Sequence, residues 1–161
     1  MPASRPPEGA RAAPGIFTVL APTDLSPVGN RAVPYAYSML GHGGVVELCH
    51  VHERSLSAPA YVYEESEGKL NDLERARLEA ALRGLIPGDA RERGITTHVT
   101  VIDGGRAASA ILQAAERLVA DAIVLGSHGL GGGIQSLLGS VSRAVVESSR
   151  RPVLVIPAPR R

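Results

Sequence analysis

Five short runs of apolar and β-branched residues, at 16–20, 45–51, 96–102, 122–125 and 153–156, alternate along the chain with four stretches of helical periodicity. Each run is too short to be a helix in its own right. Strands of this kind, separated by helices, are joined by parallel right-handed crossovers that cover both faces of one sheet. The pattern therefore predicts an open, doubly wound α/β fold with a five-stranded parallel sheet and helices on both faces.

The first helix is expected to start at Ser26, as N-cap before Pro27, and to reach Leu40, with Pro34 as a point of kinking or delayed start. From Leu70 a second stripe of Leu73, Leu78, Ala81, Leu82 and Leu85 runs to the breaker Pro87-Gly88. Ile111, Leu112, Ala115, Leu118 and Val119 give a third, and Leu137, Leu138, Val141, Ala144 and Val145 a fourth. Residues 1–15, with four prolines, are read as a tail, 16–157 as the folded domain and 158–161 as a C-terminal tail.

Lys and Arg total 17 against 16 Asp and Glu, a net charge of +1, so no broad basic field favours nucleic acid. No apolar run is long enough to span a bilayer, and the lone Cys49, inside the second strand run, permits no intrachain disulfide. These features predict a cytoplasmic protein with Cys49 in its core and with no nucleic-acid or membrane partner.

Doubly wound sheets hold ligands beyond the carboxyl ends of their strands, where the winding reverses. That draws attention to Pro22-Thr23-Asp24 after the first strand and to residues 126–140 after the fourth. The second segment is rich in glycine and lacks any charged side chain. A phosphate held there would rely on backbone N–H groups, hydroxyls such as those of Ser140 and Ser142, and a helix N-terminus. A glycine cluster is also what an ordinary surface loop carries. Neither the P-loop pattern nor G-x-G-x-x-G is present.

The spacing of Gly126, two residues, Gly129, nine residues, then Gly139-Ser140 resembles the nucleotide-binding signature of the universal stress protein family. The likeness extends to residues 21–26, 49–51, 124–129, 138–141 and 151–157. It implies the strand order 3-2-1-4-5, a site for ATP, ADP or AMP, and a homodimer formed through strand 153–156. By the same likeness Pro22, Thr23 and Asp24 line the adenosine side, and Val51 and Leu125 lie at the base. Gly126, Gly129, Gly139, Ser140 and Val141 hold ribose and phosphates, with Ser142 and His128 beside them. Relatives often carry Arg or Lys between the second and third glycines, whereas residues 130–138 here are uncharged, which predicts weaker binding or a preference for AMP, with magnesium accompanying only ATP.

Asp24 has two roles open to it, in the ligand site or as a cap of the first helix. His50 and His52 share one side of a strand and would need His128 or Asp24 to complete a metal site, so no metal is expected. His128 is read as a phosphate-side or loop-stabilising donor. With no catalytic residue discernible, the expected function is a nucleotide-binding regulatory or stress-response protein. The alternatives are a weak ATPase or adenylate-transferring enzyme, or a dimeric scaffold without nucleotide.

Overall fold

The computed structural model describes residues 15–53, 69–128 and 138–159. Along the chain these form β1 (Thr18–Pro22), α1 (Pro27–Asn30), α2 (Val33–Leu40), β2 (Val45–His52) and α3 (Asp72–Arg83). They continue with β3 (Thr96–Asp103), α4 (Ala107–Arg117), β4 (Ala122–Gly126), α5 (Ser140–Ser148) and β5 (Val153–Ile156). All strands are parallel and pair in the order β3-β2-β1-β4-β5, the order that the resemblance implies.

Alternation along each strand divides the core between the two faces of the sheet. Val19, Ala21, Val46, Leu48 and Val124 pack with Ala36 and Tyr37 of α2 and Leu82 of α3. Leu20, Cys49, Ile123 and Leu125 pack with Ile111, Ala114 and Ala115 of α4 and Val145 of α5. Cys49 is a core residue, as expected. Burial, with Glu47 nearby and Arg117 opposing, pushes its thiol up to about 12.

Four local expectations are corrected by the structure. The helix expected from Ser26 to Leu40 is two helices, because Pro34 lies in the first turn of α2 and has no N–H to extend α1. Arg31 N and Ala32 N instead donate to the Val28 and Gly29 carbonyls at 3.2 Å, tightening the chain between the two helices. The first strand lies two residues further on, at Thr18–Pro22, and leaves Phe17 64% exposed. Leu73 is 62% exposed, since five residues before Leu78 is about 140° round a helix, off the buried stripe. Val119 is 65% exposed: α4 ends at Arg117, and Val119 takes the left-handed conformation (φ 50°) that turns the chain into β4. Leu137 lies outside the described residues.

The chain moves outward from β1 through β2 to β3, then crosses back to β4 and on to β5. The connections leaving β1 and β4 therefore diverge to opposite faces and open a crevice between them, where the site lies.

Candidate functional site

The turn after β1 is built from side-chain hydrogen bonds. The Thr23 hydroxyl donates to Asn30 Oδ1 at 2.8 Å and accepts from Leu25 N at 3.0 Å. Leu25, in the left-handed region (φ 63°), reverses the chain. Ser26 is the N-cap of α1, its Oγ accepting from Gly29 N at 3.0 Å, as the sequence predicts. Asp24 does not cap the helix itself. Its Oδ1 accepts from Ser26 N at 3.0 Å and from Ser26 Oγ at 2.6 Å, so the carboxylate braces the cap from behind. His50 Nδ1 lies 2.9 Å from the Thr23 carbonyl oxygen and ties β2 to the same turn. Among the described residues no group of three His, Cys, Asp or Glu is placed to hold a metal.

Across the crevice, the exit of β4 is fastened to the start of α5. The Ser127 carbonyl accepts from Gly139 N and from Ser142 Oγ, both at 2.7 Å. Ser142 Oγ also lies 3.1 Å from the Gly139 carbonyl oxygen. Ser127 Oγ accepts from Ala158 N at 3.1 Å and lies 3.0 Å from His128 Nδ1. The N-cap of α5 is Gly139, which has no side chain to bond the first-turn amides. That helix N-terminus carries a partial positive charge at the cavity wall.

Between the two walls lies a cavity of about 380 Å³, a size suited to a small cofactor. It is lined by Pro22, Thr23, Asp24, Val51, Leu125, Gly126, His128, Gly139, Ser140, Val141 and Ser142, so the structure brings together every expected site residue except Gly129, which lies outside the described residues. Leu125, Val51, Val141 and Pro22 supply apolar wall. Ser142 is buried, its hydroxyl committed to the Ser127 and Gly139 carbonyls, whereas Ser140 is exposed at the rim.

Gly29, Glu53, Ala107 and Ile111 also line the cavity and are missed by reading the sequence. Gly29 bears a signal in hindsight, since glycine is unfavourable in a helix. A methyl group on Gly29 would collide with Asp24 Oδ1, and one on Gly126 would come within 3.2 Å of Gly29 Cα and the Val28 carbonyl oxygen. Ala107 and Ile111 carry none, because a helix stripe counts as core until the topology shows its end protruding past the sheet. Glu53, after β2, accepts a hydrogen bond from Ala107 N at the start of α4.

A parallel doubly wound sheet with such a cavity at its switch point is the arrangement in which open α/β folds hold small ligands. Residues 15–157 match the model of the universal stress protein family, and the chain belongs to that family. A universal stress protein of Thermus aquaticus is 34% identical over 142 residues, 86% of this chain and 97% of the relative. The solved structure of the hypothetical protein MJ0577 is similar, with a TM-score of 0.71 at 26% identity, over 91% of this chain and 99% of that one. Two solved universal stress proteins of lower identity share the fold. One, in complex with cAMP, has a TM-score of 0.59 at 20% identity over 91% and 100% of the two chains. The other, from Arabidopsis thaliana with AMP bound, has a TM-score of 0.56 at 17% identity over 89% and 92%.

Proposed function

We propose that the protein binds an adenine nucleotide in the cavity between the β1 and β4 exits and serves a regulatory or stress-response role in the cytoplasm. The observation that carries this reading is the start of α5, with glycine as its N-cap, lining a partly apolar cavity of cofactor size at Gly139 and Ser140. Phosphate suits the helix N-terminus, and the purine suits the apolar wall of Val51 and Leu125. The family relationship supports it, as do the cAMP and AMP bound by two proteins of the same fold. In this reading Gly126, Gly129, Gly139, Ser140 and Val141 hold ribose and phosphates. Pro22, Thr23 and Asp24 hold the adenosine side, while Ser142 and His128 keep the phosphate wall in place. AMP is the favoured ligand, and ATP with magnesium the alternative. Two copies join through β5, an edge strand of the sheet whose Leu154 is 37% exposed.

Mass spectrometry of whatever small molecule leaves the denatured protein, followed by calorimetry with AMP and ATP, tests the reading. An adenine nucleotide bound with unit stoichiometry, and lost in Gly126→Val, is the expected result. Absence of binding by both nucleotides would overturn it.

A further inference from the structure

Among the described residues, the charges lining the cavity are opposite to those of an ordinary phosphate site. Among the described lining residues the charged side chains are Asp24 and Glu53, both carboxylates. No Lys or Arg is among them, and Arg106, which precedes α4, is exposed and outside the lining. The glycine-rich segment cannot change this balance, because residues 129–137 contain no charged side chain. Among the described residues, attraction for phosphate comes from backbone amides and the start of α5, whose partial positive charge is roughly half an elementary charge. That attraction and the repulsion from the two carboxylates both grow with each further ligand charge, and at comparable distance two full negative charges outweigh half a positive one.

Glu53 differs from Asp24 in what holds it. Asp24 is built into the α1 cap, and its removal would disturb the wall. Glu53 is exposed and, among the described residues, makes a single hydrogen bond, accepting from Ala107 N. A glutamine would keep an oxygen for that bond and lose only the charge.

We propose that Glu53 is a specificity-determining residue that makes this cavity select adenine nucleotides of low phosphate charge, cyclic and monophosphate forms over di- and triphosphates. The proposal rests on the nucleotide-binding reading above and adds to it a rule for which nucleotide is held. The carboxylate is exposed, so its field is mostly that seen through water. For a separation of one Debye length, about 8 Å at physiological salt, each ligand charge then costs roughly a factor of two in affinity.

The test is calorimetry of the full chain and of Glu53→Gln with cAMP, AMP, ADP and ATP in magnesium-free buffer, with melting curves to show that both proteins are folded. Affinity in the wild type is expected to fall from AMP to ATP. Glu53→Gln should strengthen binding in proportion to ligand charge, raising the ATP-to-AMP affinity ratio about fourfold, since ATP carries roughly two more charges than AMP. A second readout needs no variant: added salt should raise the ATP-to-AMP ratio of the wild type, and raise it less in Glu53→Gln. If AMP binds but Glu53→Gln alters all four ligands equally or not at all, the inference is wrong and the nucleotide site stands. If no nucleotide binds either protein, both fall.

Discussion

The two ends of the sheet are closed in different ways. At the amino end the strands are tied by charge and backbone. The Asp121 carboxylate accepts from Phe17 N and Thr18 N, both at 2.8 Å, and Asp121 N donates back to the Thr18 carbonyl. Gly44 (φ 87°) brings β2 in so closely that a methyl group would lie 2.6 Å from the Phe17 carbonyl oxygen. At the carboxyl end buried hydroxyls do the tying. Thr23, Ser26, Ser127 and Ser142 are buried there, each with hydrogen-bond partners, around an open cavity. One end is arranged to shut, the other to stay open while holding its walls in place. Substitutions at the first should change stability alone, and those at the second should change stability and ligand binding together.

The largest expected effect is at the closed end. Gly44→Ala forces both a left-handed alanine and a backbone collision, and should cost about 3 kcal/mol in denaturant unfolding while leaving nucleotide affinity within twofold. Gly29→Ala, at the open end, should cost about 2 kcal/mol, less because the Asp24 side chain can move aside, yet weaken AMP about tenfold or more because that movement spoils the wall. Should Gly44→Ala abolish binding, or Gly29→Ala leave it intact, the contrast between the ends would be broken. Ser142→Ala removes one of the two donors to the Ser127 carbonyl and should cost about 1 kcal/mol, with a parallel loss of affinity as Gly139 loosens.

Two smaller effects sharpen the closed end. Val119, a β-branched residue in the left-handed region, is exposed and packs little, so Val119→Gly should stabilise by about 0.5 kcal/mol, read as a higher denaturant midpoint. The backbone N–H groups of Thr18 and Phe17 hold the Asp121 carboxyl below its ordinary value of 3.8. Its contribution is therefore complete above the unfolded value and is lost as pH falls through the lower folded one. Asp121→Asn should lower the melting temperature at neutral pH, and the gap from wild type should close as the solution is acidified below about pH 4.

The strand runs and the order of elements were legible because the inner strands β1, β2 and β4, largely buried on both faces, read as apolar blocks with breakers between them. Glycines 126 and 139 were legible through their spacing, and Ser26-Pro27 through the chemistry of helix starts. What escaped reading depends on contacts distant in sequence. Glu53 matters only because β2 ends beside the start of α4, and Asp121 because it meets Phe17 about a hundred residues away. Val119 looked like a stripe residue because periodicity does not show where a helix stops. Gly29 looked like a blemish in a helix until Asp24 and Gly126 were seen packed against it.

The central claim concerns main-chain amides, and amide resonances report on it directly. In a 1H–15N titration of the full chain with AMP, the signals of Gly126, Gly139, Ser140 and Val141 should shift together and saturate, while those of Phe17, Thr18 and Gly44 stay in place. Saturable shifts confined to residues away from the α5 start, or none at millimolar AMP, would contradict the account.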